Sequence, residues 1–251
     1  MSFSDWWTNA NNPSLPKDVY LYDARHIGVL IAVAVACVVL ALVFYKKSDR
    51  AKRILLNVFA GILLGFEIVS RVVNLIIAES LDIATIGEIL LPMHICSVMV
   101  WVFIIGIFSK NKTLINFGAI GGLVATVAFL LYPAVGLNRV YMSFTCCYST
   151  ISHSIGFITA VLLIVFGFAK FDIKDIWKTY VCFACMFAWG AFVNFVIFPG
   201  SDYMYMINDP LELNLGGFPY QVLYLIILAV YVLIFYITPI LYRKLKNKKK
   251  Q

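Results

Sequence analysis

The chain has 251 residues, 62% of them hydrophobic and 13% charged, with a mean hydropathy of +0.90 and a formal net charge of +7 at pH 7. Soluble domains are about half apolar, so this composition excludes a water-soluble globular protein and points to an all-α integral membrane protein. The positive charge is a topology signal, as its placement below shows, and nucleic acid is not an expected partner.

Crossing about 30 Å of hydrocarbon takes about 20 apolar residues. Runs of that kind cover 27 to 45, 54 to 78, 88 to 109, 114 to 135, 145 to 169, 179 to 198 and 219 to 241. The expected organisation is an N-terminal arm (1 to 26), a single seven-helix transmembrane bundle (27 to 242) and a basic tail (243 to 251). The arm, "MSFSDWWTNANNPSLPKD", is polar and has no apolar h-region, so no cleavable signal peptide is expected. His26, at the edge of the first span, reads as a solvated interface residue.

Polar groups inside spans are costly in hydrocarbon and should face the protein interior. The second span carries Glu67, Ser70, Arg71 and Asn74, whose spacing puts all four on one helical face. Glu67 and Arg71, one turn apart, are expected to pair. The third span contains "LPMHICSVMVW": Pro92 removes a backbone donor and bends the helix, freeing carbonyls beside His94 and Cys96. The fourth span, with Gly118, Gly121, Gly122 and Pro133, and the fifth, with Ser149, Ser152 and His153, have blurred ends. The sixth holds Asn194. Residues 199 to 218, "PGSDYMYMINDPLELNLGGF", form a connection long enough to be a lid. Gln221 is the polar residue of the seventh span.

Sixteen of the 20 Lys and Arg lie in loops sharing a side with the C-terminus, including "RKLKNKKK" in the tail. Basic residues stay cytoplasmic, which predicts the N-terminus outside, the C-terminus inside, and anionic lipid headgroups as contacts of the basic tail. Counted from the outer ends of their spans, the polar groups cluster in the outer half, beneath the 199 to 218 connection.

"LPMHICS", "STISHSIG" and "NFVIFPGSDYMYM", in that order, resemble the YwaF-type bacterial integral membrane proteins over about residues 54 to 240. That family is distantly similar to an animal acyltransferase acting on ether phospholipids and to the androgen-induced-gene type of intramembrane hydrolases. The resemblance implies acyl transfer or lipid hydrolysis in the cell membrane, on a phospholipid or fatty acyl substrate. It carries His94 and His153 over as the motif histidines, and no cofactor is expected. One departure stands out: the animal motif runs Pro-Cys-His, whereas here Met93 occupies the cysteine position and the thiol is Cys96.

His94 and Cys96 are about 200° apart on a helix, so the base for Cys96 would be His153 from another helix. The expected site is thus His94, Cys96 and His153 as the catalytic set, with Glu67, Arg71, Asn74, Asn194 and Tyr203 around the substrate and Arg71 holding a phosphate or carboxylate. No metal is expected: His94, His153 and Glu67 are suitable ligand types, but no HExxH-like spacing supports a zinc site. Two other classes fit parts of the sequence. A transporter or permease component would line a path with polar groups, yet the inner half is nearly bare of them. A seven-helix ligand-binding protein matches the helix count but has short cytoplasmic loops.

Overall fold

The computed structural model describes residues 22 to 78, 80 to 132, 143 to 209 and 219 to 248. The arm up to residue 21, Arg139 with its connection, the 210 to 218 half of the expected lid and tail residues 249 to 251 lie outside the described residues. Among those described, all regular structure is helical.

The helices are α1 (Ala24–Tyr45), α2 (Asp49–Ile77), α3 (Ile83–Leu90), α4 (Ile95–Ser109), α5 (Lys112–Leu131), α6 (Phe144–Val165), α7 (Ile176–Phe192) and α8 (Tyr220–Lys248). A 3-10 turn, Ile173–Asp175, leads into α7, and a π-helical turn, Val193–Ile197, extends it. Six helices are long and apolar enough to cross a membrane, and the bent pair α3 and α4 makes a seventh if it is one span. Their outer faces carry large apolar side chains, such as exposed Ile31, Val35 and Leu42 on α1, as surfaces that meet hydrocarbon do.

Side-chain caps set where several helices start. The Asp23 carboxylate accepts from the N–H groups of Arg25 and His26, Ser48 from Ala51, Asp82 from Thr85, Asn111 from Thr113 and Leu114, and Ser143 from Cys146. The cap at Asp23 starts α1 three residues before the expected position. It also draws His26 inward, contrary to its reading as a solvated residue. His26 is 1% exposed. Its Nδ1 accepts from the Tyr22 N–H at 2.9 Å, so Nε2 donates to the Leu130 carbonyl at 2.7 Å. Tyr22 donates to the next carbonyl, Leu131, at 3.0 Å. The two together satisfy carbonyls that the end of α5 leaves without helical donors.

The third span departs most from expectation. Instead of one helix over 88 to 109 there are two, meeting at a 56° bend. Pro92 disfavours helical backbone at the residue before it, and Leu91 is extended at ψ 141°. The chain stays non-helical through His94.

The helices divide into two compact units: Met1–Pro92 with Cys96–Ala169, and Met93–Ile95 with Lys170–Gln251. In the first, α5 and α6 form the core, where Ala119, Ile120, Ala160 and Leu162 are fully buried. Gly118, Gly121 and Gly122 let α5 approach α4: a Cβ on Gly122 would collide with Cζ of Phe103, and one on Gly121 would sit 2.8 Å from Met99 Sδ. In the second unit, α7 and α8 are joined by a buried hydrogen bond of 2.6 Å between Thr179 and Tyr236, and Phe171 packs edge-on against Phe235 and Tyr236.

Candidate functional site

The four-residue face of α2 is built as its spacing predicts. Arg71 Nη2 donates to Glu67 Oε2 at 2.6 Å, with the two side chains 16% and 4% exposed, and the Asn74 amide donates to Ser70 Oγ at 3.3 Å. Other elements complete the cluster. Tyr148 on α6 donates to the second Glu67 oxygen at 2.6 Å. Arg71 Nη1 donates to the carbonyls of Ile89 and Leu90, both at 2.6 Å. Those carbonyls end α3, where the turn leading to Pro92 leaves them without intrahelical donors. Trp101 on α4 lies 5.8 Å from the guanidinium. Arg71 is therefore chiefly a cap and an ion-pair partner. Its Nε is buried without a partner, and of its five N–H donors that one and one on Nη2 remain for a ligand.

His153 stands two turns above the start of α6. Its Nδ1 lies 2.6 Å from the Ser149 carbonyl, an acceptor only, so Nδ1 carries the proton. Nε2 is then the lone-pair nitrogen, and it is buried without a hydrogen-bond partner. The ring stacks on Phe129 at 3.7 Å between centroids and 13° between planes, which fixes its orientation. Beside it, the Ser152 and Thr150 hydroxyls are also buried and unpaired.

Cys96, in the first turn of α4, is half-buried and directs its thiol to the Ala125 carbonyl at 3.6 Å. Ala125 and Phe129 are one turn apart on α5, about 6 Å along its axis. Thiol and imidazole thus lie against neighbouring turns of one helix.

His94, Asn194 and Tyr203 belong to the second unit. The Asn194 side chain, fully buried, behaves like a strip of backbone: Nδ2 donates to the Tyr203 carbonyl at 2.9 Å, and Oδ1 accepts the Tyr203 N–H at 2.8 Å. Both ends of the amide hold the chain, so Asn194 is a clamp for Tyr203. The Tyr203 ring in turn meets the His94 ring edge-on at 5.1 Å. Asn194 sits in the π-helical turn, closed by Phe198 N–H donating to the Val193 carbonyl. Such a turn puts one extra residue into a helix and is frequent at functional sites.

The described half of the expected lid, 199 to 209, is firmly fastened. Asp202 accepts from the N–H groups of Ile207 and Asn208 and from the Asn208 amide. Partial burial raises its carboxyl, but these hydrogen bonds outweigh that and hold it below the ordinary value. Met204 and Tyr205 both have positive φ, 64° and 53°. Met204 is buried against Gly190, where a Cβ would come within 2.8 Å of its sulfur. The first turns of α8 grip the loop as well, through Tyr220 to the Tyr205 carbonyl, Gln221 to Met206 and Tyr224 to Asp209.

The expected site residues thus fall into three constellations: Glu67, Arg71 and Asn74 on α2, joined there by Ser70; Cys96 and His153 beside α5; and His94, Asn194 and Tyr203 in the second unit. Sequence reasoning missed Tyr148, Trp101 and the Ile89 and Leu90 carbonyls. For Tyr148 a signal existed, since a buried carboxylate with one oxygen paired to Arg needs a donor for the other. Among the described residues, no three His, Cys, Asp or Glu side chains come together as a metal-ligand set.

The model of the TMEM164 family matches residues 21 to 238. No curated protein matches the chain, and no solved structure does. The match covers most of the chain, which belongs to the TMEM164 family and is a membrane protein.

Proposed function

For this member of the TMEM164 family we propose acyl transfer or ester hydrolysis on a membrane lipid, with His153 as the general base. The observation that carries this reading is the state of the His153 ring. One nitrogen is oriented by a backbone carbonyl, and the other is a buried, unengaged lone pair, the arrangement a general base needs. The three motifs that resemble YwaF-type proteins support the same chemistry, and we assign the chain to that branch, in the cell membrane.

The reaction runs through Cys96. Once its thiol leaves the Ala125 carbonyl, sulfur adds to an acyl ester carbonyl and the thiol proton passes to His153 Nε2. The imidazolium returns that proton to the departing lyso-lipid oxygen, leaving a thioester. A lipid hydroxyl, or water in hydrolysis, then gives its proton to Nε2 as its oxygen adds to the thioester carbonyl; the C–S bond breaks and the imidazolium returns the proton to the departing Cys96 sulfur. Met93, at the position where the animal motif has cysteine, has no ionisable group for this work. Glu67, Arg71 and Asn74 border the substrate, with the two spare N–H groups of Arg71 available to an ester or phosphate oxygen. In the second unit, Asn194 holds Tyr203 beside His94, and these three are the residues we propose that unit offers to lipid.

The test is transfer or release of a labelled acyl chain from phospholipid by the purified protein. His153→Ala should abolish turnover, and Cys96→Ala should abolish formation of a protein-bound thioester. Full turnover by His153→Ala would overturn the reading.

A further inference from the structure

At the opposite end of α2 from Arg71, the first unit contains a polar cleft. Arg53 and Arg71 are 18 residues apart, about 27 Å along the helix, roughly the depth of a bilayer's hydrocarbon. Arg53, Asn57 and Lys110 line the cleft together with apolar residues that include Ile115, Leu163 and Phe168.

Four features mark it as more than a gap between helices. Among the described residues, Arg53 makes no ion pair or protein hydrogen bond; its guanidinium lies on the Phe168 ring, 4.4 Å from the centroid. Stacking fixes the plane of the donor fork while leaving its edges open. Asn57, one turn further into α2, adds a carboxamide whose donors are likewise unused. Lys110 reaches the rim from the α4 to α5 turn in a left-handed conformation, φ 57°, rare for a residue with a side chain. The local field is strongly positive: "KKSDRAKR" (46 to 53) and "KNK" (110 to 112) hold seven cations and one acid.

A bidentate cation, an amide donor and an ammonium around an open space match the oxygens of a phosphate group. The apolar lining suits the glycerol and first acyl carbons that follow a headgroup phosphate and does not suit a hydrated free ion. We propose that this cleft binds the phosphate of an anionic phospholipid headgroup, on the membrane face opposite the Glu67 and Arg71 cluster. The proposal is independent of the chemistry assigned to His153.

The experiment is a thermal-stability titration of the full chain in detergent with phosphatidylglycerol, phosphatidylcholine and inorganic phosphate. Phosphatidylglycerol should raise the melting temperature saturably, phosphatidylcholine should not, and inorganic phosphate should displace phosphatidylglycerol only weakly. Arg53→Gln should weaken the apparent affinity by about tenfold or more, as loss of a charge-assisted pair does. Arg53→Lys should recover part of it, and Lys174→Gln, at an exposed lysine outside the cleft, should leave it unchanged. If Arg53→Gln does not fold, Lys110→Gln and Asn57→Leu read the same cleft. Equal shifts with the two lipids, or wild-type affinity in the cleft variants, would overturn the site. Full displacement by inorganic phosphate at comparable affinity would overturn the lipid as its occupant.

Discussion

Arg71 holds three things at once: the Glu67 carboxylate, which Tyr148 also engages, and two carbonyls at the end of α3. Removing one partner of a buried pair costs about 3 to 5 kcal/mol because the other charge is stranded. Arg71→Met should fall in that range in a denaturation experiment on the purified protein. Arg71→Lys should recover little of it, since one ammonium cannot serve a carboxylate and two carbonyls in a plane. Tyr148→Phe should cost about 1 to 3 kcal/mol, the loss of one donor to a buried carboxylate. The pairing of Glu67 with Arg71 was legible because four residues on a helix is a fixed geometry. Tyr148 and the α3 carbonyls were not, because their approach depends on where other helices pack and on a break whose angle no spacing encodes. Lys110 makes a smaller test: relieving its left-handed backbone by Lys110→Gly should add about 1 kcal/mol of stability, while weakening the lipid response of the basic cleft.

Among the elements, the spans were readable from apolar run length, and the structure places helices over all of them. What the sequence hid was their interruptions. Pro92 announced a bend, but the stop at Leu90 and the restart at Ile95 reflect the turn's own geometry and Arg71's reach to the freed carbonyls. The π-helical turn was invisible because it goes with a clamp from Asn194 to a residue nine positions later. Asn194→Leu should release Tyr203 and speed amide exchange over 201 to 209 without melting α7. The same loop should respond to acid. The depressed Asp202 carboxyl contributes stability that is fully present above its unfolded value, near 4, and is lost as pH falls through its lower folded value. Proteolysis within 201 to 209 should therefore accelerate below about pH 4, and Asp202→Asn should show the faster rate at neutral pH with little further change in acid.

For the whole molecule, composition decided the solvent and the helical class, and hydrocarbon leaves little choice beyond helices for a chain of this kind. Grouping of the helices into two units was not legible, since polar residues mark a span's inward face without saying which other helix that face meets. Orientation rests on the placement of the basic residues. In a cysteine-free background, Ser48→Cys should label only from the cytoplasmic side and Ser201→Cys only from outside. The reverse pattern would move both the candidate site and the basic cleft to opposite faces of the membrane.

The pairing of Glu67 and Arg71 within one helix bears on how the protein is made. During synthesis α2 reaches the membrane before its later partners exist: Ile89 and Leu90 follow Arg71 by 18 and 19 residues, and Tyr148 follows Glu67 by 81. A lone guanidinium at that moment would resist entry into lipid. With its counter-charge one turn away on the same segment, the guanidinium of α2 enters lipid as half of a neutral pair, and the tyrosine and carbonyl contacts form afterwards as the later helices assemble around it. Order of synthesis thus favours putting both charges on the earlier helix and the uncharged hydrogen-bonding groups on the later ones.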